Sequence, residues 1–277
     1  MSSNMSVRRR AEPQAPRQAA ASFVARSAER RRLKSGIHAT GLTAGLPAGD
    51  LEQFENVVFA RRVLRAGERL FGPGDKCNCI YSIHSGLFKT TFADGNGREQ
   101  VTGFFMPDEL LGMDGLGNGC YTVSAMALVD SNVWAMPHGV IQSMAREVPS
   151  LHHRLLSALG NEIARNQVAM MMLGTMGARE RLVDFLLNVS RRFLSRGYSG
   201  VAFRLCMTRS EIGSYLGLSL ETVSRHFSAL DREGLIEVRQ REISILDVQG
   251  LERIVGSCRA SPGKHADPFA CMSPSGR

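Results

Sequence analysis

Hydrophobic and polar positions divide the chain into stretches of different period. From about Leu51 to Ala135 the apolar runs are short, and Gly, Asp and Asn punctuate them. They are Val57-Val58-Phe59, Val63-Leu64, Leu70-Phe71 before Gly72-Pro73-Gly74-Asp75, and Ile80-Tyr81-Ser82-Ile83 before Ser85-Gly86. Leu87 to Phe92 then alternates and runs into Asp94-Gly95-Asn96-Gly97, a strong hairpin turn. Short strands at near-regular spacing, separated by turn signals, predict a β-sandwich or β-roll. A short helix over Asp50–Val57 would complete it.

The period changes at Pro149, which suits the first turn of a helix. Leu151, Leu155 or Leu156, Leu159, Ile163, Met170 and Leu173 recur at three- and four-residue spacing, and Gly160 is the one breaker before Met172. Such a stripe suits a helix lying on its own domain or a seam between two subunits. The length of the helix, and the completeness of the domains on either side, favour the seam. Its candidate contacts are Leu156, Leu159, Ile163, Asn166 and Met170, with Asn166 as the polar residue that would fix register. Gly174 and Gly177 predict a hinge before a further helix from Ala178 to Arg196.

Local signals are densest between Thr208 and Arg225. Thr208 followed three residues later by Glu211 is a capping box, and Ile212, Tyr215 and Leu216 share one helical face. Gly217 can end that helix, and Ser219 can cap a second one with Val223, Phe227 and Leu230 facing inward. Two helices joined by a turn of about three residues containing Gly form a helix-turn-helix. Glu221, Ser224 and Arg225 then share the outer face near the start of the second helix, the end that enters a major groove. Arg can fork onto guanine, Glu can accept from cytosine, and Ser can reach several bases. Thr222 and Ser219 on the same helix, Thr208 and Arg209 at the start of the first, and Arg239 and Arg241 complete the candidate DNA-contacting set. The last two sit at the tip of a charged turn between the alternating strands Ile236–Val238 and Ile243–Leu246, which form a wing.

Composition alters this picture in two respects. The net charge is +8 over 277 residues, but residues 1–34 alone hold nine Lys or Arg against two acids, whereas residues 175–245 hold eleven against eight. Most of the positive charge therefore belongs to a disordered basic arm, and the basic balance by itself says little about nucleic acid. That arm, Arg-rich and acid-poor, also has the composition of an organellar transit peptide. The six cysteines are scattered and no apolar run approaches the length of a membrane span, so the expected setting is a reducing cytoplasm without disulfides and without a membrane. No paired carboxylates, Ser/His/Asp set or phosphate-cradling Gly loop stands out, and the chain is not expected to be an enzyme.

The order of parts and the motifs resemble the CRP/FNR family of bacterial transcription regulators over about residues 36 to 246. The residues that carry the resemblance most specifically are Glu180-Arg181-Leu182, Asn188 through Phe193, Phe203-Arg204-Leu205, Met207-Thr208-Arg209, Tyr215-Leu216-Gly217-Leu218 and Glu221-Thr222-Val223-Ser224-Arg225. Leu70-Phe71, Gly74-Asp75, Ser85-Gly86, Gln100 through Phe104 and Asp108 through Gly112 add to it in the sensor half. The resemblance implies an α+β chain. A basic arm occupies 1–34, a β-roll sensor of the cyclic-nucleotide-binding type 35–148, and a dimerisation helix with hinge 149–176. A winged helix-turn-helix follows over 177–248, and a flexible tail over 249–277. It implies double-stranded DNA, RNA polymerase and a second copy of the chain as partners. A Glu-x-x-Ser-Arg recognition helix goes in this family with TTGAT half-sites in inverted repeat, as in the FNR branch. The cyclic-AMP branch has Gly at the position of Ser224 and Arg at that of Leu220.

The sensor departs from both well-known chemistries of the family. Gly119 through Ser124 carries no Arg to fork onto a nucleotide phosphate, which argues against cyclic AMP. No Cys precedes Cys77, and Trp134 stands where the family's internal cluster cysteine falls, which argues against an iron–sulfur cluster. Cys77, Cys79 and Cys120 form a weak candidate metal or redox set lacking a fourth ligand, and His38 and His84 are candidate haem ligands. The cofactor is thus open at this stage. The alternative to a DNA-reading regulator is a ligand-gated sensor of the same family, its primary event haem or nitric oxide binding, thiol oxidation, or nucleotide binding.

Overall fold

The computed structural model describes residues 60–259, with Leu42 and Asp50 ahead of them. The basic arm, the predicted helix after Asp50, the Val57–Phe59 run, His38 and the chain beyond Arg259 lie outside the described residues.

Eight short strands make the first half of the described chain: β1 (Ala60–Leu64), β2 (Arg69–Phe71), β3 (Cys79–Ser85), β4 (Phe88–Ala93), β5 (Glu99–Phe105), β6 (Leu110–Leu111), β7 (Ser124–Ala127) and β8 (Ser131–Pro137). They pair antiparallel into two four-stranded sheets, ordered β1-β8-β3-β6 and β2-β7-β4-β5. The predicted hairpin joins β4 to β5, with the Asp94 carboxylate accepting from the Asn96 and Arg98 N–H groups, both at 2.9 Å. Between the sheets lies a core of Leu64, Leu70, Phe71, Ile83, Phe88, Val133 and their neighbours. This is the β-roll expected from the sequence.

Two helices were not expected from the sequence, one after the roll and one at the end of the described chain. The first, α1 (His138–Glu147), buries Ile141 and Met144 against the outer face of the first sheet, together with Leu42, Trp134 and Leu151. The long helix follows as α2 (Pro149–Thr175), running two residues past the last apolar position of the stripe, Leu173, so Gly174 lies inside it rather than in a hinge. Only Leu151 and Met172 of α2 are buried within the protomer. The hinge is the extended pair Met176-Gly177.

The second half is α3 (Ala178–Leu194), β9 (Ala202–Arg204), α4 (Arg209–Leu216), α5 (Leu220–Arg232), β10 (Ile236–Arg239), β11 (Glu242–Ile245) and α6 (Val248–Arg259). The wing is three-stranded, ordered β10-β11-β9, because the short run Ala202–Arg204 pairs with β11. The tail expected from residue 249 is instead a helix as far as Arg259. Leu251 and Val255, one turn apart, bury against the same core as Leu182, Leu186 and Ile236, which is why this segment does not fray. That core also takes in Leu87, Val101, Phe104 and Met106 of the roll, so the two halves share buried surface.

Candidate nucleic-acid interface

The helix-turn-helix is built as its caps dictate. Thr208 Oγ1 accepts from the Glu211 N–H at 3.1 Å, and Glu211 returns the bond by accepting from the Thr208 N–H at 2.7 Å. Gly217 ends α4 in the left-handed conformation at φ 63°, where a Cβ would be strained. Ser219 Oγ then accepts from the Thr222 N–H at 3.2 Å and starts α5. Val223, Phe227 and Leu230 turn inward and are buried, which rotates Glu221 and Arg225 to solvent with Ser224 half-buried beside them. The three candidate base readers therefore share one accessible face.

The other candidate residues have more local work. Arg225 donates to Thr222 Oγ1 at 3.2 Å, so Thr222 steadies the arginine along the helix. The Arg209 guanidinium lies 3.3 Å from the centroid of the Phe227 ring and ties the start of α4 to α5. Burial there lowers its pKa to about 10, which leaves it cationic at neutral pH. At the wing tip Gln240 takes a left-handed turn at φ 57°, and Arg239 and Arg241 on either side are exposed. Arg239 pairs with Glu237 at 2.7 Å, an exposed pair that phosphate can displace. His226, on the same helix, is held below the usual imidazole value first by burial and then by Arg179 and Arg225, so it is neutral at physiological pH.

Two structural roles in and beside the motif were not read from the sequence. Gly213 sits inside α4, where a Cβ would lie 2.6 Å from the Leu218 carbonyl oxygen of the turn. Its signal was a glycine within a capped helix, a position that otherwise costs stability. Gly213→Ala is expected to force the turn apart, at about 1–3 kcal/mol. Thermal unfolding checks this, and an unchanged midpoint would mean that the turn tolerates the methyl group. Arg181 is the other: it donates to the Leu216 carbonyl at 2.9 Å and to the Met176 carbonyl at 2.9 Å, tying α3 to the end of α4 and to the hinge.

The seam residues on α2 are open within the protomer. Leu156, Ile163 and Met170 are 55%, 58% and 74% exposed, Asn166 is exposed, and Leu159 is half-buried.

Inside the roll, Phe71 stacks on Tyr121 with ring centroids 3.9 Å apart, and Tyr81 lies 5.7 Å from Phe71 and 6.5 Å from Tyr121. The Tyr121 hydroxyl donates to the Cys79 carbonyl at 2.6 Å. Burial pushes the Cys77 and Cys79 thiols up, away from the thiolate form that binds metal. The Cys77 thiol faces the Gly112 carbonyl at 3.6 Å. Among the described residues no group of three His, Cys, Asp or Glu side chains is arranged to hold a metal ion. The three thiols therefore do not fit the metal set considered from sequence. Trp134 is buried with His84 at its edge, 6.2 Å between centroids, and His84 itself is exposed. Among the described residues no helix is long and apolar enough to cross a membrane.

Comparisons with known proteins agree with this geometry. Residues 61–147 match the family model of the cyclic nucleotide-binding domain, and residues 180–254 match that of the Crp-like helix-turn-helix domain. The chain is 39% identical over 212 residues to the transcriptional regulatory protein Btr of Bordetella pertussis, covering 76% of this chain and 88% of that one. It is 39% identical to the transcriptional activator protein Anr of Pseudomonas aeruginosa, over 74% of this chain and 84% of that one. It is 34% identical to the fumarate and nitrate reduction regulatory protein of Escherichia coli, over 76% and 84%. The solved structure of FixK2 from Bradyrhizobium japonicum aligns at a TM-score of 0.67 and 26% identity, covering 75% of this chain and 100% of that one.

Proposed function

Since the chain belongs to the CRP/FNR family of DNA-binding transcription regulators, we propose that two copies pair along α2 and read an inverted repeat of TTGAT half-sites, one half-site each. The observation that carries this reading is the outer face of α5, where Glu221 and Arg225 are exposed with Ser224 half-buried beside them while Val223, Phe227 and Leu230 anchor the helix. Arg225 forks onto the guanine of the half-site, Glu221 accepts from a cytosine N–H, and Ser224 fills the space between them. Two-fold pairing suits half-sites about one helical turn apart, and the exposed apolar stripe on α2 is the surface that makes the pair. No covalent chemistry is involved. The bound dimer acts on transcription through RNA polymerase, the partner that the family implies.

The roll is a structural and relaying module in this reading rather than a cyclic-AMP receptor. The stack of Phe71, Tyr81 and Tyr121 supports that assignment, as does the lack of an arginine in Gly119 through Ser124.

Fluorescence anisotropy with a labelled TTGAT inverted repeat tests the reading. Scrambling one half-site is expected to weaken binding sharply, and equal affinity for a scrambled and an intact site would overturn it. The wing makes a separate expectation. If Arg239 meets only phosphate, Arg239→Ala lowers the slope of log affinity against log salt by about one and weakens all sequences alike. A loss confined to particular base pairs would instead make Arg239 a base reader.

A further inference from the structure

The dimer seam and the recognition helix lie on opposite sides of a two-residue joint. The α2 helix ends at Thr175, Met176 and Gly177 are extended, and α3 begins at Ala178. The side-chain bonds at the joint run from α3 to the joint itself, Arg181 to the Met176 carbonyl and the Gly177 N–H to Glu180, and none of them reaches back along α2. The angle between α2 and α3 matters, because α3 has 17 residues and is about 25 Å long at ~1.5 Å per residue. A swing of about 10° moves the end of an arm that long by roughly 4 Å, more than the ~3.4 Å between successive base pairs.

One carboxylate spans the joint from outside. Glu109 lies between β5 and β6 with only 16% of its side chain exposed. It meets Arg165 of α2 at 3.4 Å, Arg192 of α3 at 2.7 Å and Arg196, just past α3, at 2.7 Å. The loop around it is gripped as well. Arg192 donates to the Phe104 carbonyl at 2.8 Å, Arg196 donates to the Pro107 carbonyl at 2.9 Å, and the Met106 N–H donates to Glu109 at 3.2 Å. Burial alone would raise the Glu109 pKa, but the three guanidinium groups and that N–H outweigh it and hold the carboxyl below its usual range. A second contact fixes the far side of the DNA half. Lys89 of β4 pairs with Glu211, the capping residue of α4, at 2.7 Å, and the Val101 N–H donates to Ser214 Oγ at 2.9 Å.

We propose that Glu109 is a positioning residue for DNA reading: by clamping α2 to α3 through Arg165, Arg192 and Arg196, it fixes the distance and angle between the two recognition helices and so selects the half-site spacing. It touches no base. The clamp rests on the reading of the chain as a dimer on an inverted repeat. Its signature is a change in preference for spacing with the preference for bases left intact. A loss of folded protein would lower every affinity together.

The test uses the full chain and a TTGAT inverted repeat with half-sites about one helical turn apart, or that spacing lengthened or shortened by one base pair. Wild type is expected to favour one spacing by about tenfold or more. Glu109→Gln is expected to bring the three affinities close together while keeping the wild-type rank order among single-base variants. Should that variant fail to fold, Arg165→Gln decides the matter, since it frees the α2 side, giving up with it the Arg165 pair to Glu162 and the contact over the Phe105 ring, and leaves Glu109 with two arginines. Circular dichroism and thermal unfolding report the fold of each variant. An unchanged spacing preference in a folded variant would overturn the clamp. If wild type bound the repeat at no spacing, the dimer-on-operator reading itself would fall, and the clamp with it.

Discussion

Ile163→Glu is expected to convert the dimer into monomers and to remove most operator affinity. Ile163 lies midway along α2 and is 58% exposed in the protomer, so the substitution leaves the buried core of one copy untouched. Across a two-fold seam the two new carboxylates would face each other in an apolar contact, where an unpaired charge is costly. Each monomer would retain a complete helix-turn-helix but would hold only one half-site. Losing the second, tethered contact lowers affinity by roughly 10²–10⁴-fold. Sedimentation equilibrium reads the first effect and anisotropy the second. An unchanged dimer would remove α2 from the interface.

Arg225→Ala carries the other large effect. The guanidinium stands exposed near the start of α5 and donates, among the described residues, to Thr222 alone, so its removal leaves the helix, its Ser219 cap and its buried face intact. A bidentate arginine–guanine contact contributes roughly 1–3 kcal/mol of discrimination. With two half-sites the dimer is expected to lose about 30-fold in affinity at the low end of that range. Glu221→Ala is expected to broaden base preference more than it weakens binding, since Glu221 is fully exposed and burying it against DNA offsets part of its gain. Thermal unfolding of both variants should match wild type, and a lowered midpoint would trace the loss to the fold.

What was legible in the sequence was local. The Thr208/Glu211 box, Gly217 and the Ser219 cap each act over three or four residues, and the helix-turn-helix follows them residue for residue. Alternation drew β10 and β11 of the wing, but β9, the other outer strand, has three residues, too few to show a period. The helix α1 has ten residues but buries only Ile141 and Met144, too sparse a stripe to read, and the Ser, Gly and Pro of the C-terminal region masked α6, whose Leu251 and Val255 make one buried stripe. The long helix was legible as a stripe, yet its end was not, because Gly174 is tolerated inside it. Least legible was the Glu109 clamp. Its arginines lie 56, 83 and 87 residues away in sequence, and no local pattern joins them. The aromatic stack of the roll is hidden for the same reason, since Phe71, Tyr81 and Tyr121 come from three separate segments.

The central claim, that α5 reads the half-site through Arg225, is tested most directly by a panel of operators. Wild type and Arg225→Ala are titrated at one salt concentration against the TTGAT inverted repeat and every single-base variant of its half-site. The account predicts that wild type penalises replacement of the guanine by roughly 1–3 kcal/mol per half-site. It also predicts that Arg225→Ala loses that penalty while keeping the others. If Arg225→Ala ranked every variant as wild type does, α5 would not be the reader.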